Sequence, residues 1–201
     1  MSPTVILIIN FSLILLAYLF GSFSSAVVVC KIMGFPDPRE NGSNNPGATN
    51  VLRLYGKQAA FITLTGDLLK GLLPVLIGKL FNVSDLVLAL MGLAAFLGHL
   101  YPVFFGFKGG KGIATFIGVL YGFTWQLGVV FMITWGLMAL LFKYSSLSAL
   151  VAALVSILAA GVFLGSKAYL VVVLIMVIFI FYRHRSNIQN LIDGTEDKLN
   201  E

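Results

Sequence analysis

Charged side chains are scarce in this chain: Asp, Glu, Lys and Arg make up 10% of its 201 residues, against roughly 25% in soluble proteins. None occurs between Met1 and Cys30. Hydrophobic residues make up 59%, and several apolar runs reach the roughly 18 to 20 residues needed to cross a bilayer core. A soluble protein of this size has no interior large enough to hide them all, so a soluble class is excluded. Cysteine is almost absent too. Cys30 alone rules out an internal disulfide and argues against a cysteine-based metal cluster. The first apolar run lacks a basic leader and is too long for a signal core, so it reads as a retained helix. No internal repeat stands out.

In lipid every backbone polar group needs an internal partner, which limits spans to helices or closed barrels. The apolar runs here lack the alternation of barrel strands. The reading is an all-α integral membrane protein with seven transmembrane helices near 4–30, 59–79, 86–105, 113–125, 127–142, 147–164 and 168–183. The stretch 113–142 is too long for one span and too short for two full ones, and Gly122, Gln126 and Gly128 mark a turn inside it. Orientation follows from Lys and Arg. One side carries ten of them: Lys31, Arg39, Arg53, Lys57, Lys108, Lys111, Lys143, Arg183, Arg185 and Lys198. The other carries Lys79 and Lys167, and Lys70 falls inside a span. The N-terminus is therefore expected outside and the C-terminus in the cytoplasm. The chain reads as a single polytopic domain over 1–201, with 192–201 a short polar tail. The net charge of +5 sits in short loops between apolar helices. That distribution favours anionic headgroups or anionic substrates over nucleic acid.

Three polar segments fall on the basic side. The first is Asn41-Gly42-Ser43-Asn44-Asn45-Pro46-Gly47-Ala48-Thr49-Asn50, with Arg53 one turn beyond. Small uncharged donors beside an Arg fork suit a phosphate or carboxylate, although Gly, Asn, Ser and Pro also build ordinary turns. The second is Lys108-Gly109-Gly110-Lys111-Gly112, preceded by Gly98-His99. Consecutive glycines allow backbone N–H groups to converge on an anion, and a helix beginning near Ile113 would add its N-terminal dipole. Orientation requires lysines but not three glycines, so anion binding is favoured over a plain positive-inside loop. The spacing is neither a Walker A loop nor a dinucleotide fingerprint. The third is Arg183-His184-Arg185 with Asn187, where basic residues at a helix end need no function by themselves. Within a span, Asp67 and Lys70 share one helix face at i, i+3. Ionisable groups at that depth are functional or paired.

In this order the segments resemble one family. They run Gly21-Ser22; Gly42-Ser43-Asn44-Asn45-Pro46-Gly47-Ala48-Thr49-Asn50-x-x-Arg53; Asp67-x-x-Lys70-Gly71; Gly98-His99-x-x-Pro102; Phe107-Lys108-Gly109-Gly110-Lys111-Gly112; and Arg183-His184-x-x-Asn187-Ile188. Together they are similar to the bacterial acylphosphate:glycerol-3-phosphate acyltransferases, over nearly the whole chain. Each piece alone is unspecific; their ordered combination is specific. Two positions depart from the family pattern. Asn44 stands where the family usually has glycine, the least costly replacement if the turn demands positive φ. Asn190 stands where relatives often carry Arg.

The resemblance implies an enzyme of the bacterial inner membrane with its site facing the cytoplasm. It would transfer a fatty acyl group from acyl phosphate to the 1-hydroxyl of glycerol-3-phosphate, giving lysophosphatidate and phosphate. It implies no metal or organic cofactor and no obligate protein partner. Lys111, His184 and Arg53 are the implied catalytic residues. Ser43, Asn45, Thr49, Asn50, Lys70, His99, Lys108, Gly109, Gly110 and Asn187 are the implied substrate and phosphate ligands. The base is open between a substrate phosphate oxygen, His184 and Asp67, and His99 either touches substrate or only holds the loop. The residues themselves supply neither a nucleophile-elbow serine nor a cysteine–histidine pair, so direct transfer is expected. The alternative from another class is a transporter of a phosphate-bearing solute with Asp67 and Lys70 in its path. The one-sided, interfacial cluster favours the enzyme over a midplane transport site.

Overall fold

The structure is a computed structural model that describes residues 1–199. The described residues form helices and connections, with no strand. In chain order the helices are α1 (Pro3–Gly21), α2 (Ser25–Ile32), α3 (Ala48–Tyr55), α4 (Lys57–Leu80), α5 (Asp85–Leu100), α6 (Ile113–Phe123), α7 (Trp125–Phe142), α8 (Ser145–Phe163), α9 (Lys167–Arg183) and α10 (Arg185–Asp193), with one 3-10 turn at Val103–Phe105. Ser2 and Pro3 start α1 as N-cap and first-turn residue, where a side-chain acceptor and a missing N–H are best tolerated. Gly56, at φ 86 and ψ −178, separates α3 from α4 in a conformation essentially confined to glycine.

Five helices are long and apolar enough to cross a membrane: α1, α4, α5 extended through the 3-10 turn, α7 and α8. The bent pair α9–α10, with a 56° turn between its halves, would be a sixth. The 11-residue α6 is shorter. At about 1.5 Å per residue it reaches roughly half a bilayer core, which is why 113–142 held too little chain for two full spans. The break there lies at Thr124, between α6 and α7.

The first span departs from expectation. One helix over 4–30 was expected; instead the chain breaks at Ser22–Ser24, between α1 and α2. Broken backbone at membrane depth is tolerated where protein covers it. Here Ser22 and Ser24 are buried, and the Phe23 carbonyl accepts a hydrogen bond from Lys70 Nζ at 2.8 Å. A charge on α4 thus supplies the partner that the break removes, a pairing with no signature in local hydropathy.

The chain forms two compact units. The first runs Met1–Gly122 and holds α1–α5 with nearly all of α6. Its helices touch through small residues. A Cβ at Gly21 would collide with the Ala95 carbonyl, one at Gly98 with the Tyr18 carbonyl, and one at Gly71 with the Thr115 carbonyl. Without a hydrophobic force between helices in lipid, such close backbone approach holds the bundle together. The second unit begins at Phe123 and packs α7 on α8 and α8 on α9, with α10 lying against α8 and α9.

Candidate active site

The first polar loop is organised by one side chain. Asn50, in the first turn of α3 and 2% exposed, donates through Nδ2 to the carbonyls of Pro38 at 2.9 Å and Asn41 at 3.1 Å. Its Oδ1 accepts from the Ser43 backbone N–H at 3.0 Å. A buried amide with three bonds in place fixes the loop and leaves little of Asn50 for a ligand. The turn requires positive φ at Gly42 (62°) and Asn44 (55°), and a Cβ on Gly42 would also strike Asn50 Oδ1. Asn is among the few residues other than glycine that accept this region, so Asn44 suits its place in the turn. Ser43, Thr49 and Arg53 are exposed, whereas Asn45 is half-buried. Ahead of this turn Phe35 stacks on Tyr55 at 4.7 Å, and the Tyr55 hydroxyl donates to the Pro36 carbonyl at 2.9 Å.

The second loop leaves α5 through a tight turn. The Phe105 and Phe107 N–H groups both donate to the Pro102 carbonyl, at 3.1 and 2.9 Å. Gly109 and Gly110 then run buried across the end of α5. A Cβ at Gly109 would meet the His99 carbonyl, and one at Gly110 would meet His99 Nε2. The same Cβ at Gly110 would lie 3.4 Å from the Pro46 carbonyl, so the two loops run close together here. Close approach to α5 is thus one reason for glycine at both positions. Lys108 is exposed, Lys111 is half-buried, and α6 starts at Ile113.

Asp67, Lys70 and His99 lie beneath these loops and face one another. They are 2%, 4% and 6% exposed. Lys70 Nζ sits 2.9 Å from Asp67 Oδ1, and His99 Nδ1 lies 3.7 Å from the same oxygen. The Thr115 hydroxyl donates to the Asp67 carbonyl at 2.9 Å, tying α6 to α4. A buried pair of this kind is tolerable because each charge has a close opposite charge and Lys70 also bonds Phe23.

In the second unit His184 stands at the α9–α10 bend and is 4% exposed. Its Nδ1–H donates to the Ile180 carbonyl at 2.8 Å, which fixes the ring and makes Nδ1 the proton-bearing nitrogen. Asn187 Nδ2 donates to Glu196 Oε1 at 2.7 Å. The same carboxylate accepts from the Ser146 hydroxyl and, through Oε2, from Asn190 Nδ2 at 3.4 Å. The Leu199 N–H donates to the Lys143 carbonyl at 2.8 Å. The segment read as a polar tail is therefore folded onto the start of α8, with its last two positions outside the described residues.

Two groups had little signal in the sequence. Arg39 counted there only as a basic charge, and Glu196 only as part of the tail. The spacing Asp37-x-Arg39 and the acids after Gly194 were the available hints.

The glycerol-3-phosphate acyltransferase family profile matches residues 11–194. The chain belongs to that family. It is 53% identical over 191 residues to the glycerol-3-phosphate acyltransferase of Methylococcus capsulatus, covering 95% of this chain and 96% of that relative. The enzyme of the same description from Francisella tularensis subsp. holarctica is 50% identical over 193 residues, covering 96% and 94%. The fold is similar to that of PlsY, a crystallised integral membrane glycerol 3-phosphate acyltransferase. The TM-score is 0.90 in its glycerol 3-phosphate form, at 39% identity and 94% coverage of both chains, and 0.88 in its lysophosphatidic acid form. The described chain is accordingly a multi-pass membrane acyltransferase.

Proposed function

We propose that this acyltransferase moves a fatty acyl group from acyl phosphate to the 1-hydroxyl of glycerol-3-phosphate. The products are lysophosphatidate and inorganic phosphate. The observation that carries this reading is the close approach of the two loops, at Gly110 and Pro46, on a unit that carries Arg53, Lys108 and Lys111. Two anionic phosphates need cations at a polar edge, and an acyl chain needs the apolar helices below it. Ser43, Asn45, Thr49, Arg53, Lys108 and Lys111 are assigned to the phosphates in the first unit. His184 and Asn187, in the second unit, are assigned as phosphate ligands on the family resemblance. The Gly109 and Gly110 backbone is placed near the transferring centre, with Lys111 balancing charge on the carbonyl oxygen.

In the reaction the glycerol oxygen forms a bond to the acyl carbon as the bond from that carbon to the phosphate oxygen breaks. The phosphate leaves with the bonding pair, and one of its oxygens takes the hydroxyl proton. Because the donor is activated, positioning and charge stabilisation suffice. The close Lys70 cation argues against Asp67 as the base, and burial argues against Asp67, Lys70 or His99 as direct ligands. Nδ1 of His184 already donates to a carbonyl, so a proton-accepting role would fall to Nε2.

Seven spans in the bacterial inner membrane are assigned, oriented by the ten-to-two distribution of Lys and Arg. These are α1 with α2, α4, α5, α6, α7, α8 and α9, with the N-terminus outside and the polar loops facing the cytoplasm. The family match over 11–194 supports one catalytic domain. Purified protein in vesicles, supplied with palmitoyl phosphate and glycerol-3-phosphate, is expected to release lysophosphatidate. Flux of glycerol-3-phosphate without product would overturn the reading, as would use of acyl-CoA in place of acyl phosphate.

A further inference from the structure

We propose that Arg39 is a positioning residue: clamped by Asp37, it reaches out of the first loop and holds the turn that aims the glycine run. Its Nη2 lies 2.7 Å from Asp37 Oδ2, and Nε donates to both carboxylate oxygens at 3.1 Å. The Arg39 backbone N–H also donates to Asp37 Oδ1 at 2.9 Å, so the two residues form one local unit. With that edge occupied, Nη1 donates across 66 positions of sequence to the Phe105 carbonyl at 2.9 Å. The guanidinium carbon stands 5.9 Å from the Phe105 ring centroid. Both side chains are about three-quarters buried.

The carbonyl it holds belongs to a turn of unusual backbone conformation. Gly106 and Phe107 take positive φ in succession, 64° and 58°. For a bulky aromatic residue that region is strained and persists only where surroundings enforce it. Locally, the Phe105 and Phe107 N–H groups donate to the Pro102 carbonyl, and the Lys108 N–H donates weakly to the Phe105 carbonyl at 3.4 Å. Arg39 adds the stronger bond to the Phe105 carbonyl, at 2.9 Å from another loop, and Lys108 to Gly112 leave the turn directly. A cavity of about 410 Å³ opens beside the contact, lined by Arg39, Glu40, Phe104, Phe105, Gly106 and Lys108, so loop packing alone does not fill the space there. Arg39 thus couples the loop that Asn50 organises to the loop that carries Lys111.

This inference rests on the reading that the glycine run handles substrate phosphate, and its test has two separate readouts. Arg39→Gln, Arg39→Lys and Asp37→Asn are made in the full chain in vesicles and assayed with palmitoyl phosphate and glycerol-3-phosphate. Arg39→Gln is expected to raise KM for glycerol-3-phosphate about 10-fold with kcat changed less than about 3-fold, the size of one lost charged hydrogen bond. Arg39→Lys is expected to do the same, because an ammonium cannot hold a carboxylate fork and a distant carbonyl together. Asp37→Asn should give a smaller rise, and the double variant Asp37→Asn/Arg39→Gln should be no worse than Arg39→Gln. Amide hydrogen exchange over 103–112 should quicken in both Arg39 variants. Restoration of wild-type KM by Arg39→Lys would overturn the proposal, as would loss of melting temperature with KM and exchange unchanged. If wild-type protein makes no product, the substrate reading fails, while the exchange rates still decide whether Arg39 holds the turn.

Discussion

Single residues in the two loops differ in how far the fold encloses them. Asn50 has its amide committed to three backbone partners, whereas Lys111 is half-exposed at the end of the glycine run. Lys111→Ala is therefore expected to lower kcat/KM at least about 100-fold, as loss of a charge-stabilising donor does, with the melting temperature little changed. Full activity in that variant would remove Lys111 from the site. Asp37 offers a pH test. Hydrogen bonds from the Arg39 side chain hold its carboxyl below the usual range, against a smaller opposing effect of burial. A depressed carboxylate stabilises the fold fully above its unfolded value of about 3.9 and loses that contribution as pH falls through the folded value. The stability advantage of the wild type over Asp37→Asn, measured by thermal unfolding, should be constant from pH 7 to 5 and shrink below pH 4. An advantage that grows on acidification would contradict the pairing with Arg39.

Among the elements, α4 carries the feature that hydropathy conveys least well. Asp67 and Lys70 looked equally suited to a substrate path and to a structural pair. The structure turns them toward each other, toward His99 and toward the Phe23 carbonyl at the α1–α2 break. Removing one charge leaves the other buried. Lys70→Met is expected to destabilise by about 3 to 5 kcal/mol, seen as a lower detergent-melting temperature. The double replacement Asp67→Leu/Lys70→Met should recover much of that loss. A double variant as unstable as the single one would show that the Phe23 and His99 contacts, and not the ion pair, carry the stability. The break between α1 and α2 was illegible because every residue around it is apolar or small; only a cation from another helix explains it. By contrast α6 was legible as a short helix, since the stretch from 113 to 142 simply contained too few residues.

For the whole molecule, composition decided membrane residence and all-helical class, and charge asymmetry supplied an orientation that labelling can check. In a Cys30→Ser background, single cysteines at Ser43 and at Asn82 should react with impermeant maleimide from opposite faces, Asn82 from the outside. Labelling of both from one face would overturn the seven-span arrangement. In the second unit Glu196 gathers Ser146, Asn187 and Asn190, so Glu196→Ala should release Asn187 and lower activity and folded yield together. What the sequence alone determined was everything that depends on counting or order: spans long enough to cross, a basic side, glycines where two loops need them, and a motif order specific to one family. Lys111, Arg53 and His184 were visible because their types and spacings are unusual among apolar helices. Tertiary structure alone decided which polar groups face inward. The turning of Asp67, Lys70 and His99 toward one another, the reach of Arg39 to Phe105, and the return of Glu196 to Asn187 are all set by geometry. Apart from Asp67 and Lys70, which share one face of α4, the partners lie on different elements, and linear spacing carries no record of that proximity.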